Sequence, residues 1–165
     1  MRKKGQLQIS FGMIFSMIII AVTLSIAGYM IFQFMKSGDT VLCVQFKEKL
    51  QEAIDDAWRS DGARIDTRNE PLPSLPGDVK EICFGNSTQP LLSVKDRANF
   101  EDVKDYTLPS RNLYISPRNS CKGEFSYTLN HVSSKGFFCL PVNNKKIALL
   151  LSKGPTEPLV VLSPI

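Results

Sequence analysis

Residues 1–36 read MRKKGQLQISFGMIFSMIIIAVTLSIAGYMIFQFMK. Arg2, Lys3 and Lys4 come first, and then no Asp, Glu, Lys or Arg occurs until Lys36. The uncharged stretch from Gly5 to Met35 covers 31 residues. As an α-helix it would be about 46 Å long at roughly 1.5 Å per residue. A bilayer's hydrocarbon core is about 30 Å thick and takes about 20 residues to cross. The stretch is therefore long enough to span, with surplus. It is apolar on every side, as a lipid-facing helix is and an amphipathic core helix is not. Ser10, Ser16, Thr23 and Ser25 are compatible with lipid because a helical hydroxyl can bond the carbonyl one turn back. The basic residues before the stretch belong in the cytoplasm by the positive-inside bias. The expectation is a single-pass membrane protein with residues 6–35 as the span and the C-terminal part outside.

Two readings of this segment need no family. One is a plain signal-anchor. The other is a cleaved secretory signal, since Ser25-Ile26-Ala27 is a loose small-x-small site, although the apolar stretch far exceeds the usual length of about 7–15 residues. A third reading rests on likeness. Lys3-Lys4-Gly5-Gln6 followed by a long uncharged helix resembles the class III (prepilin-type) signal peptide of archaeal type IV pilin-like proteins. The resemblance implies cleavage by a prepilin peptidase between Gly5 and Gln6. Lys3 and Lys4 would then be the basic recognition residues, residues 1–5 the leader and Gln6 the new N-terminus. It also implies that the apolar helix stays on the mature protein and packs among other pilin-like subunits, in an extracellular filament once assembled. The chain departs from the family at Ser10, where many members carry a Glu.

The rest of the chain fits one modest domain. The whole protein has twenty Lys and Arg against sixteen Asp and Glu, and three of the basic residues precede the apolar stretch. The remainder is nearly neutral. It has no basic stripe with interleaved aromatics, which argues against a nucleic-acid partner. Cys43, Cys83, Cys121 and Cys139 all follow the apolar stretch. An even number on the outer side favours two disulfides, with three pairings open. The pattern of elements suggests Cys121–Cys139 across a hairpin, with Cys43–Cys83 tying helix to sheet. A metal site is disfavoured, since no cysteine pair has C-x-x-C spacing and His131 is the sole histidine. A nucleophilic cysteine would need a partner base, and no acid adjoins His131 in sequence.

Residues 40–61, TVLCVQFKEKLQEAIDDAWRSD, are strongly helical in pattern. Val41, Cys43 or Val44, Phe46, Leu50, Ile54, Ala57 and Trp58 recur at three- and four-residue spacing, which predicts an amphipathic helix over 39–60 laid on a core. Asp39 or Ser37 could cap it, or it could continue the membrane helix with a bend at Gly38. Trp58 reads as core. Asp55 and Asp56 read as a solvated face, since adjacent helix positions diverge. All ten prolines and six of the ten glycines lie beyond residue 60, which indicates many turns. Residues 62–78 read as loop, 79–85 as strand, 91–105 as loop with a short helical turn, and 112–116, 124–129, 136–140, 145–151 and 159–162 as strands. The last two should form an antiparallel hairpin, with VVLSPI as an exposed edge whose Pro164 discourages further pairing. Asn86-Ser87-Thr88 is an N-x-S/T sequon in a turn, making Asn86 a candidate glycosylation site. No phosphate-cradling loop, Gly-x-Ser-x-Gly elbow, zinc-protease motif or calcium loop occurs. The expected fold is α+β: a long N-terminal helix, transmembrane below and amphipathic above, packed on a small antiparallel β-sheet head over 62–165. Pilins share that architecture. The expected function is non-enzymatic and free of cofactors, either pilin-like or an uncleaved anchor whose head binds a surface partner.

Overall fold

A computed structural model describes residues 11–60, 62–86, 88–104 and 110–165. Lys3, Lys4, Gly5, Gln6 and Ser10 lie outside the described residues. The chain divides into two compact units, Met1–Gly38 and Asp39–Ile165. Helix α1 is Phe11–Arg59. Ser37, Gly38 and Asp39 therefore lie inside a helix and do not begin one, and Asp39 is no N-cap. Among the described residues, α1 is the helix long and apolar enough to cross a membrane, by length and composition.

In the first unit, every described side chain from 11 to 34 is exposed. Its polar groups are met locally. Ser16 Oγ donates to the Gly12 carbonyl at 2.7 Å, Ser25 Oγ to Ala21 at 2.8 Å and Thr23 Oγ1 to Ile20 at 2.9 Å. The hydroxyls thus hide their own polarity against the helix backbone.

In the second unit, Cys43, Phe46, Leu50, Ile54 and Ala57 are buried on one stripe of α1, as the periodicity predicts. The choice between Cys43 and Val44 falls to Cys43, and Val41 and Val44 face outward. After the helix come β1 (Arg64–Asp66), β2 (Glu81–Phe84), α2 (Arg97–Lys104), β3 (Leu113–Ser116), β4 (Ser126–Tyr127), β5 (Val132–Ser134), β6 (Phe138–Pro141), β7 (Leu149–Ser152) and β8 (Val160–Pro164). Among the described residues the strands form two four-stranded sheets, ordered β1-β7-β8-β5 and β4-β3-β2-β6. The expectation of one antiparallel sheet is corrected twice, because there are two sheets and β5 pairs β8 in parallel. The expected β7–β8 hairpin is present, antiparallel, with Leu151 opposite Leu162. The C-terminal strand is no exposed edge. It is paired on both sides, and Pro164 is itself in register with Leu149.

The β2-centred sheet is covered on both faces, and strand parity shows how. Ile82, Phe84, Leu113, Ile115, Phe138 and Leu140 join the α1 stripe in one core. Cys83 and Tyr114 point the other way, to a smaller cluster with Val103 and Phe137. Helix α2 closes that side, where Phe100 meets Phe137 edge-on at 5.1 Å between ring centres. Gly85 makes this closure possible. A Cβ there would stand 2.8 Å from Phe137 Cα, and the residue sits at φ +118°.

The disulfides are Cys43–Cys121 and Cys83–Cys139, so the expected pairing is wrong in both halves. The reason is geometric. Cys83 faces the α2 side of its sheet, away from Cys43, and lies directly opposite Cys139 in the β2–β6 register. Cys121 ends a 3-10 turn, Arg118–Cys121, and meets α1 at a Cα separation of 5.9 Å. Around that bond Thr40 Oγ1 donates to the Cys121 carbonyl at 2.9 Å and Lys122 pairs with Asp39 at 2.6 Å.

Asp96 is a buried carboxylate on the α2 side. Burial pushes its carboxyl above the ordinary 3.8, opposed by a hydrogen bond from the Cys139 backbone N–H, while nearby Glu81 adds to the rise. A carboxyl raised on folding costs stability once it ionises, so the cost is present at neutral pH and absent well below 3.8. Asp96→Asn keeps an acceptor for Cys139. It should raise the midpoint of thermal unfolding at pH 7, with the gain vanishing in acid. Leu50→Ala should cost about 2–5 kcal/mol in denaturant unfolding, as for other fully buried leucines. Non-reducing peptide mapping should recover Cys43 with Cys121 and Cys83 with Cys139.

Candidate functional sites of the head

The C-terminal end of α1 carries a cluster that sequence spacing does not announce. Asp55 and Trp58 lie three positions apart and so share one side of the helix. His131 approaches them from the loop before β5, held in the left-handed region at φ 59°. Its Nδ1 is 3.0 Å from Asp55 Oδ1, and its ring stacks on the Trp58 indole at 4.0 Å with 9° between planes. Gln51 Nε2 donates to Asp55 Oδ1 at 2.8 Å, and Gln51 Oε1 accepts from the Asn130 backbone N–H at 2.8 Å. Trp58 Nε1 donates to the Pro158 carbonyl at 3.0 Å. Lys153 Nζ lies 6.0 Å from the indole centre and donates to the Trp58 carbonyl.

Trp58 is therefore not a core residue, as its spacing suggested. It is 36% exposed, and its indole lies against the loops leading into β5 and β8. Asp55 is likewise not a purely solvated acid, and His131 does have a carboxylate beside it. The pair is joined across a separation of 76 positions, which no local pattern encodes. An Asp–His pair orients an imidazole, but acyl-transfer chemistry also needs a nucleophile within its reach. Among the described residues the His131 ring meets Asp55 and Trp58, and neither carries a hydroxyl or a thiol. The arrangement serves as a joint between the helix end and two strand entries.

The hydrogen bond with His131 holds the Asp55 carboxyl below the ordinary range, against an opposing effect of burial, with Gln51 adding to the lowering.

Asn86 sits in the turn after β2. Its side-chain carbonyl accepts from the Thr88 N–H at 3.1 Å, an Asx turn. Its own N–H donates to Gln89 Oε1 at 2.8 Å. Gln89 in turn bridges to β5, with Nε2 donating to the Ser134 carbonyl at 3.1 Å and Oε1 accepting from the Ser134 hydroxyl at 2.9 Å. Thr88 is exposed, while Ser87 lies outside the described residues. A cavity of about 200 Å³ opens beside this turn, with Arg111 and Asn112 on its far wall. Both are already engaged. Arg111 binds Glu124 and the Ser126 carbonyl, and Asn112 brackets the Leu129 backbone with both ends of its amide.

All four cysteines are in disulfides. Among the described residues no group of three or more His, Cys, Asp and Glu side chains could hold a metal ion. Comparison with known proteins finds no match to any family model, any curated protein or any solved structure.

Trp58 is the chain's sole tryptophan, so its emission reports the joint directly. His131→Ala should brighten that emission by removing the stacked imidazole. A carboxyl lowered on folding stabilises above its unfolded value, and that stabilisation is lost as pH falls through the folded value. Unfolding midpoints measured from pH 6 downward should therefore fall less for Asp55→Asn than for the wild type below about pH 4, the region of an unperturbed aspartate.

Proposed function

We propose that this chain is a non-enzymatic, membrane-anchored protein whose disulfide-linked head lies outside the cell membrane, and that it is a type IV pilin-like or pseudopilin subunit processed after Gly5. The observation that carries the reading is the exposed apolar surface of α1. From Phe11 to Phe34 the described side chains are exposed, including Ile18, Ile19, Ile20, Leu24 and Ile31. Surface of that extent and chemistry requires lipid or the apolar helices of other subunits around it. Arg2, Lys3 and Lys4 favour a cytoplasmic N-terminus, and two disulfides suit an oxidising outer compartment.

In this reading the partners are membrane lipid, a prepilin peptidase acting at Lys3-Lys4-Gly5-Gln6, and other pilin-like subunits packed through the N-terminal helix. Ser10, in place of the family's Glu, weighs against assembly into a regular filament; in a second reading the chain is an uncleaved single-pass anchor whose head binds a surface partner. N-terminal mass spectrometry of the native protein separates the two. Processing should give a chain beginning at Gln6, and Gly5→Leu should retain Met1 or Arg2. A native chain that keeps residues 1–5 in a host with the peptidase would rule out the pilin-like reading.

A further inference from the structure

A larger cavity, of about 470 Å³, lies on the head away from both sites described above. Six apolar residues, Pro71, Leu140, Pro141, Ile147, Ala148 and Ile165, form much of its wall. The volume falls in the range of small-ligand sites, about 300–1,000 Å³. The one buried polar side chain in the wall is Thr67, and it is fully engaged. Its hydroxyl donates to the Ile147 carbonyl at 3.1 Å and accepts from the Leu149 N–H at 2.9 Å. The depth of the cavity thus suits an apolar body.

The rim is different. Arg68 and Lys146 both border it. Arg68 is already neutralised by Asp66, which takes its Nε and Nη2 in a fork, Nη2 at 2.6 Å. Lys146 has no carboxylate partner among the described residues. Its position is fixed by the backbone. Asn143 and Lys146 exchange hydrogen bonds of 2.9 and 3.0 Å, and Asn144 and Lys145 between them sit at φ 50° and 62°. This is a type I′ turn, the two-residue connection that needs positive φ at both central positions. The turn places an uncompensated ammonium at the mouth of an apolar cavity.

We propose that this cavity binds a free aliphatic monocarboxylic acid, with the alkyl chain against Leu140 and Ile147 and the carboxylate on Lys146. An apolar lining with one ammonium at its edge that no carboxylate pairs selects such a ligand over a neutral one of equal length. The inference uses only the head and stands or falls independently of processing at Gly5.

The test uses the full chain in phosphatidylcholine nanodiscs with a diazirine-bearing decanoate. Labelling of the peptide containing residues 146–148 is measured against labelling of the apolar helix as an internal reference. Head labelling should saturate. It should fall about tenfold in Lys146→Glu, the size expected for losing one charge-assisted contact. It should persist in Lys146→Arg and fall again when Ala148→Phe fills the cavity. The matching photoreactive decanol should label the head about tenfold less. Lys146→Gln, with disulfide mapping of each variant, guards against a folding defect and should behave as Lys146→Glu does. Equal labelling by decanol, or no effect of Lys146→Gln and Ala148→Phe, would overturn the proposal. Displacement of decanoate by a peptide with an apolar C-terminal residue, at lower concentration than decanoate itself, would reassign the cavity to a peptide terminus and equally overturn it.

Discussion

The head depends on the burial of one helix stripe. Cys43, Phe46, Leu50, Ile54 and Ala57 are almost wholly removed from solvent and belong to one core with residues of both sheets. Each sheet has four short strands, the shortest of two residues, and buries its apolar face in the core that the stripe shares. The helix supplies the common apolar surface that makes them one core. Cys43–Cys121 then ties the lower end of that stripe covalently to the strands' connecting segment. A disulfide closing so long a loop removes much freedom from the unfolded chain in the chain-entropy account.

How far the sequence foretold this arrangement varied with the range of the interactions. The helix stripe was legible because a 3.6-residue period is local. So were β2, β3, β6 and β8, each a short apolar or alternating run near a turn residue. Strand β1 was not, because Arg-Ile-Asp carries one apolar residue and is held only by its register with β7. Strand β5 was not, because Val-Ser-Ser has no alternation and its partner lies far along the chain, in parallel. The run from Lys145 to Leu151 looked like a single strand. Residues 143–146 instead close a tight turn, and the ladder begins only at Leu149. The disulfides failed for a related reason. Pairing depends on which sheet face each cysteine occupies, and the division into two sheets was invisible. The same holds for Trp58. Its spacing read as core, but its partners His131 and Pro158 are both distant in sequence and hold it at the surface.

The two ends of the helix segment in the head are secured by different chemistry. Near its start the contacts are covalent and ionic: Cys43–Cys121, Lys122 with Asp39, and Thr40 on the Cys121 carbonyl. At its end they are aromatic and hydrogen-bonded, built on Trp58, His131, Asp55 and Gln51. The first depends on an oxidising surrounding, the second on the ionisation of a carboxylate. Their sensitivities therefore differ, although both hold the same helix against the same core.

The position of β8 bears on how such a chain is made. The sheet built from β2, β3, β4 and β6 is complete once residue 141 has been synthesised, and so is its cross-strand disulfide. The other sheet has its centre in the last strand, because β5 pairs with nothing but β8, and β7 lies on the other side of it. During synthesis β5 waits for a partner that begins only at Val160. A chain ending before Val160 would leave β5 without its ladder partner and β7 with β1 alone.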